Sequence, residues 1–421
     1  MQDSFRLCGV LVLTGILAAL TGSVSAQAPG DAPPQATQDA LKPLIRELGA
    51  AMNARDAAAI EQVVQRVRTL LGPFAGVPES PERYQWPAER GTPEAVALRR
   101  AWDAAFSTVL ARAGSKSAAP AQMELREPAY VALMLAAAVD AWPDARDRYV
   151  ARLEEELAFL MPLQGESGIF PYPVEPDERA PENVRRDTAR MRQQFPEKIK
   201  NGYLYIDDGG MQFDTACVGV ALCEGFRLTG ERRYLEAAKR AAAWATALPL
   251  SNNWNYNAFS AWLLASVYRY TGEPVHLEAA LEKTRYGVLP GLMESGRWVD
   301  QHNAKQTYHF IIVRALSELL DVLPADHADH AALKERLDLA VDARVEDILR
   351  DGISNVESAF WGLSQAVYRQ GPQSRRGEAL DLIAQLILEQ PSGFYPALLP
   401  LYARLGKETG GVEVRAVNGV D

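Results

Sequence analysis

Cysteine is scarce in this chain of 421 residues, which contains three. Cys8 lies in an N-terminal apolar run, whereas Cys217 and Cys223 lie six positions apart on one predicted helix. That spacing separates their Cα atoms by about 9 Å along the helix axis, beyond the roughly 7 Å that a disulfide tolerates. A small disulfide-stapled domain is therefore excluded, and we expect two buried thiols within a large apolar core.

The chain also lacks a net positive charge and a phosphate-binding motif, and it has few histidines. The formal net charge is −10, which repels polyanions globally, so we predict no nucleic-acid partner. Among the five histidines, the segment His327-Ala-Asp-His330 has a spacing compatible with metal binding, but we interpret it as a helix cap. No glycine-rich phosphate loop lies between a predicted strand and a helix. We therefore predict no metal and no cofactor.

A long apolar run occurs only at the N-terminus, over residues 7–21, where Arg6 precedes it and Val24-Ser25-Ala26 follows. This layout is typical of a secretory signal with a small-x-small cleavage site. The run is shorter than the roughly 20 residues of a membrane span, although an uncleaved anchor is the alternative. We predict a periplasmic or secreted protein without stable membrane insertion after cleavage. The predicted divisions are a signal peptide over 1–26, a flexible Pro/Ala-rich linker over 27–37 and a single domain over 38–421.

Helical periodicity dominates the remaining chain, and one segment of it repeats. Arg227-Leu-Thr-Gly-Glu-Arg-Arg-Tyr-Leu-Glu-Ala-Ala238 matches residues 269–280 at eight of twelve positions, with an offset of 42 residues. Each copy ends one helix at Thr-Gly and begins the next, which indicates stacked helical hairpins. One helix of each hairpin is bulky and apolar and its partner is rich in alanine and charge, as in an inner and an outer ring. We predict an all-α fold, an (α/α) toroid or barrel of about six to seven hairpins.

The loops that precede the inner helices of a toroid meet at one end of the ring. They are rich in aromatic and amide side chains, which stack on sugar rings and bond sugar hydroxyls, so we predict a polysaccharide or oligosaccharide ligand. The plain alternative is that they cap helices and fill the end of the ring. The predicted substrate-binding residues are Tyr205, Asp208, Gln212, Trp254, Tyr256, Asn257, Arg297, Trp298, Gln301 and Trp361.

Two segments carry a resemblance to a known family. Asn252-Asn253-Trp254-Asn255-Tyr256 is followed about fifty residues later by Thr307-Tyr308-His309-Phe310. Over about residues 250–320, this order resembles the α/α-toroid polysaccharide lyases, and the alginate lyases are the nearest likeness. The resemblance implies β-elimination at a uronic acid. It also implies that Asn253 neutralises the sugar carboxylate and that Tyr308 is base and acid, with His309 beside it.

The chain departs from that family at two positions. Trp254 stands where the family has a histidine after Asn-Asn, and Gln301 stands where it has an arginine seven residues before the tyrosine. His302 and Lys305 are the candidates to replace the lost base and positive charge.

Two alternatives to a lyase stay open at this stage. One is a glycoside hydrolase on the same toroid, which needs two carboxylates flanking one bond. The other is a non-catalytic toroid that binds sugar or serves as a scaffold, as the loss of both expected charged residues suggests. The candidate carboxylates for hydrolysis are Asp207, Asp208, Asp214, Asp300 and Glu357.

Overall fold

The computed structural model describes residues 35–72, 125–175, 182–207 and 210–351, together with the single positions 97, 100, 103, 376, 378 and 379. The predicted signal peptide lies outside these residues, as do Asp208, Glu357 and Trp361. Within the described residues, helical structure begins at Gln35, in the last three positions of the segment predicted as a linker over 27–37.

Helices make up most of the described chain, and their order follows the predicted hairpins. They are α1 Gln35–Ala54, α2 Ala57–Leu71, α3 Arg126–Ala141, α4 Arg146–Leu160, α5 Glu182–Gln194, α6 Met211–Thr229, α7 Arg232–Ala247, α8 Trp254–Thr271, α9 Pro274–Gly287, α10 Gln301–Ala304, α11 Gln306–Val322 and α12 His330–Asp351.

The helices form two layers. The inner helices α3, α6, α8 and α11 pack side by side in chain order, and each also packs against the outer helix that follows it, α4, α7, α9 or α12. Helices α6 and α8 are buried around most of their circumference, as expected for an inner ring. Cys217 and Cys223 are free thiols buried on α6, which confirms the expected pair.

The sequence repeat produces the same helix ending in both of its copies. Gly230 and Gly272 adopt left-handed conformations with φ of 74° and 63°, which a residue with a Cβ rarely adopts. Their backbone N–H groups donate to Phe226 and Tyr268 carbonyls at 2.8 Å. The repeated Thr-Gly pair therefore sets the turn from inner to outer helix.

The long segment between α4 and α6 contains the only strands in the described ranges. They are β1 Tyr172–Pro173, β2 Ile199–Lys200 and β3 Tyr203–Leu204, and the antiparallel sheet has the order β1-β3-β2. Asn201 and Gly202, with φ of 51° and 79°, form the tight turn between β2 and β3. The sheet lies just before α6 and leads the chain back to the end of the ring where the inner helices begin.

No helix in the described ranges combines the length and the apolar composition that crossing a bilayer requires.

Candidate functional site

Two loops at the start of inner helices build the candidate site. Residues 248–253 lead into α8, and residues 288–300 lead into the short helix α10 and then α11. Asn253 is the N-cap of α8, and Asp300 is the N-cap of α10, where its carboxylate accepts the Asn303 N–H. Because α8 and α11 are adjacent inner helices, their N-terminal ends bring these two caps together.

A network of amide side chains joins the two loops. The Asn303 Nδ2 group donates to both carboxylate oxygens of Asp300, at 2.9 and 3.1 Å, and to Asn253 Oδ1 at 3.2 Å. Asn303 Oδ1 accepts from Asn255 Nδ2 at 2.9 Å. Asn255 Nδ2 also lies 3.3 Å from His302 Nε2. The network therefore runs without a break from Asn253 to the His302 ring.

His302 and Tyr308 stack on each other at the end of this network. Their ring centroids are 3.7 Å apart and their planes are tilted by 30°. Burial, with a smaller contribution from the Lys305 ammonium, lowers the pKa of His302 to about 3. The imidazole is therefore neutral, and Lys305 is the residue of this group that carries positive charge.

The Asp300 carboxylate is the acceptor at one end of the network. It accepts the Asn303 backbone and side-chain donors and the Trp254 indole N–H, and these bonds favour its ionised form. Burial outweighs them and raises its pKa above the ordinary range. The Trp254 ring is buried against Gly291, where a Cβ would come within 2.5 Å of it, so only glycine fits there.

Side chains from three helices hold the loop that carries Asn253. Asn53 of α1 accepts the Leu250 N–H at 3.0 Å, and Lys283 of α9 donates to the Leu248 carbonyl at 3.1 Å. Asn257 of α8 accepts the Ser251 N–H at 2.9 Å and donates to the Gly287 carbonyl at 2.7 Å. These bonds hold the loop rigid, which a preorganised site requires.

Several predicted substrate-binding residues are buried or engaged by contacts within the protein. Trp254 and Trp298 are buried, and the Trp298 indole donates to the Val288 carbonyl at 3.1 Å, so neither ring is exposed for stacking on a sugar. The oxygen and the NH2 group of the Asn257 amide are both hydrogen-bonded to the backbone, at Ser251 and Gly287. Gln212 is buried and accepts the Ser260 hydroxyl. Arg297 forms an ion pair with the buried Asp347 of α12.

His309 lies apart from the other predicted catalytic residues. Its ring is fully buried, its Nε2 lies 2.8 Å from the Ala340 carbonyl, and its face meets the edge of Trp298. Adjacent residues on a helix point about 100° apart, so Tyr308 turns toward the site while His309 turns toward α12. The structure therefore places His309 in the core against α12, apart from the stacked His302 and Tyr308 rings.

Tyr205, Tyr256 and Gln301 lie near the starts of the helices at the same end of the ring. Tyr205 is half-buried after β3, and its hydroxyl donates to the Leu163 carbonyl at 3.1 Å. Tyr256 is half-buried in the first turn of α8, and Gln301 is the first residue of α10. Asp208 and Trp361 lie outside the described residues.

The sequence interpretation missed Asn303 and gave Asn255 no role of its own. Both are buried and connect Asn253 to Asp300 and His302. The available signal was the Asp300-x-x-Asn303 spacing, in which an N-cap side chain faces a residue three positions later. Such spacing occurs at many ordinary helix starts, so it does not by itself indicate a site.

Two solved structures resemble this chain at low sequence identity. "Glycosyl hydrolase family 88 from Bacteroides vulgatus" gives a TM-score of 0.50 at 10% identity, over 74% of this chain and 99% of that one. A polysaccharide lyase gives a TM-score of 0.48 at 11% identity, over 76% and 99%. No family model matches the chain, and no curated protein matches its sequence. The predicted all-α toroid is confirmed as the fold, and the similarity extends no further than the fold.

Replacing Asn257 by alanine should reduce the stability of the folded protein. The change leaves the Ser251 N–H and the Gly287 carbonyl without partners, and each unsatisfied buried group costs about 1–3 kcal/mol. We expect a melting temperature several degrees below that of the wild type, measured beside the exposed-helix control Thr246→Ala. An unchanged melting temperature with weakened sugar binding would restore the original sugar-binding assignment.

The His302 ring should stay neutral at ordinary assay pH. NMR of its imidazole nitrogens should show no titration between about pH 5 and pH 8, where an unperturbed histidine titrates. The unfolded chain takes up this proton near pH 6.5 and the folded ring does not. The stability contributed by the neutral ring is therefore complete above about pH 6.5 and is lost as the pH falls toward 3. A titration midpoint near 6.5 would contradict the enclosed, neutral ring.

Proposed function

We propose that this protein is an exported carbohydrate-active enzyme that cleaves a uronic-acid-containing polysaccharide by β-elimination. The observation that carries the proposal is the unbroken connection from the Asn253 amide through Asn303, Asn255 and His302 to the Tyr308 ring. An amide that neutralises a carboxylate and a phenol that moves a proton are the two functions that elimination at a uronate needs.

The first step in this proposal is recognition of the uronate carboxylate. Asn253 accepts from Asn303 through Oδ1 and makes no side-chain bond to its own helix, so its Nδ2 donor is directed away from the network. Donation from Nδ2 to the sugar carboxylate withdraws charge from it and acidifies the neighbouring C5–H. Lys305 adds a positive charge close to His302 and Tyr308.

The second step is proton transfer at Tyr308. The ionised phenol oxygen takes the C5 proton, and the C5–H electron pair forms the C4–C5 double bond as the C4–O bond breaks. The leaving glycosidic oxygen keeps that bonding pair and receives the proton from Tyr308. No water is consumed, and the tyrosine returns to its starting state. The neutral His302 ring holds the Tyr308 ring by stacking and is not itself the base.

The described carboxylates give less support to hydrolysis. Asp207 accepts the Trp244 indole N–H at 2.7 Å, and Asp214 accepts the Arg126 backbone N–H at 3.2 Å. Asp300 is half-buried and accepts from Asn303 and Trp254. Each carboxylate is therefore engaged by protein donors, whereas a glycosidase needs two that face one sugar bond.

A panel of uronate polymers tests the proposal. The purified protein is incubated with each polymer, and two signals are followed: the ultraviolet absorbance of the unsaturated uronate product and the appearance of reducing ends. We expect both signals to rise together on at least one polymer and neither to rise on the same polymer after chemical reduction of its carboxyl groups. Reducing ends without absorbance would replace elimination by hydrolysis. Sugar binding without either signal would indicate a non-catalytic toroid.

A further inference from the structure

Asp300 is the one member of the amide network whose hydrogen-bonding polarity is fixed by its chemistry. An ionised carboxylate only accepts, whereas an asparagine side chain can present either its oxygen or its NH2 group to a neighbour. Asp300 accepts the backbone N–H and the Nδ2 group of Asn303 together with the Trp254 indole N–H. It therefore determines which end of the Asn303 amide faces it.

The orientation of Asn303 determines that of Asn253. One hydrogen of Asn303 Nδ2 is taken by Asp300, and the other points to the Asn253 side chain at 3.2 Å. Asn253 must meet that donor with its oxygen, so its NH2 group points away. Asn253 is itself nearly buried, with 7% of its surface exposed.

The opposite side of Asn303 determines the state of His302. Because Asn303 Nδ2 is committed to Asp300 and Asn253, its Oδ1 accepts from Asn255 Nδ2 at 2.9 Å. The second hydrogen of Asn255 Nδ2 points to His302 Nε2 at 3.3 Å. His302 Nε2 therefore carries no proton, and the neutral ring carries its proton on Nδ1.

We propose that Asp300 is a positioning residue that sets the polarity of the whole network: it turns the Asn253 NH2 group toward a sugar carboxylate and holds His302 as the Nδ1–H tautomer against Tyr308. The part concerning the carboxylate rests on the proposed function. With a neutral residue at 300, Asn303 can rotate, and Asn253 then presents its oxygen to the sugar. Two oxygen acceptors facing each other repel, so carboxylate recognition is lost without loss of any side-chain volume.

Asp300→Asn tests this proposal while keeping the helix cap. An asparagine still accepts the Asn303 backbone N–H and is as good an N-cap as aspartate. The matched control is Asp56→Asn, because Asp56 is the exposed N-cap of α2 and accepts the Ala59 N–H at 3.0 Å. We expect both variants to melt within a few degrees of the wild type.

Two readouts distinguish positioning from a merely structural role. NMR of the His302 ring nitrogens should show one tautomer in the wild type and in Asp56→Asn, and a mixture in Asp300→Asn. For the uronate oligosaccharide that the wild type cleaves, KM should rise about tenfold, as expected when one charge-assisted hydrogen bond is lost. A single unchanged tautomer with unchanged KM in Asp300→Asn would overturn the proposal.

A second variant covers the case in which Asp300→Asn does not fold. Asn303→Ala removes the connecting amide and leaves the charge of Asp300 in place, and we expect the same loss of a single His302 tautomer. The tautomer readout needs no substrate, so it tests Asp300 even if no polymer is cleaved. An ordered network in a protein inactive on every uronate polymer would reject the proposed function and leave the role of Asp300 standing.

Discussion

Replacing Tyr308 by phenylalanine should lower kcat for elimination by about 10³-fold, within the range of 10²–10⁴ that a lost general acid–base group costs. The substitution removes only the hydroxyl, so the ring that stacks on His302 at 3.7 Å is retained. Both proton transfers in the proposed reaction use the Tyr308 oxygen. The loss should therefore fall on kcat, while KM stays within a few-fold of the wild-type value.

Tyr286→Phe is the matched control for this substitution. Tyr286 is half-buried on the outer helix α9 and belongs to neither loop of the candidate site. It should keep wild-type kcat under the same assay of unsaturated product. If Tyr308→Phe retained a tenth or more of the wild-type kcat, the proton transfer would have to be assigned to another group.

Replacing Asn253 by aspartate should lower kcat/KM on a uronate polymer by at least about 10²–10³-fold, the cost of losing one donor at a site of developing charge. The inward bond survives, since an aspartate oxygen still accepts from Asn303 Nδ2 as Asn253 Oδ1 does at 3.2 Å. Only the outward NH2 changes, and it becomes an oxygen that repels the sugar carboxylate.

The substrate provides the control for Asn253→Asp. An oligosaccharide whose carboxyl groups have been reduced to alcohols has no charge to repel, so its affinity should be the same for the variant and the wild type. Titration calorimetry with the charged and the reduced oligosaccharide measures this difference directly. Equal loss of affinity for both ligands would show that the variant had distorted the site and would remove Asn253 from carboxylate recognition.

The sequence was most informative about the hairpins. The repeated Thr-Gly pair predicted the end of one helix and the start of the next, and the structure ends α6 at Thr229 and begins α7 at Arg232. This success has a local cause, because a glycine with positive φ ends a helix whatever packs around it. The same repeat correctly indicated that the loops before α8 and α11 share one end of the ring.

The sequence was less informative about which side chains face the site. Tyr308 and His309 are neighbours at the start of α11, and only packing against Ala340 and Trp298 assigns the histidine to the core. The sequence likewise predicts that Trp298 stacks on a sugar, whereas in the structure its indole N–H donates to the Val288 carbonyl. Such choices depend on tertiary contacts between residues 10 to 31 positions apart in the chain, which local patterns do not contain.

The mass of the product is the most direct test of the central claim that this site performs elimination. Mass spectrometry of the oligosaccharides released from a uronate polymer distinguishes the two reactions without any assumption about residues. Elimination consumes no water, so we predict new non-reducing ends lighter by one water molecule than the corresponding hydrolysis fragments, and their disappearance with Tyr308→Phe. Fragments of full hydrolytic mass, still produced by Tyr308→Phe, would contradict the account.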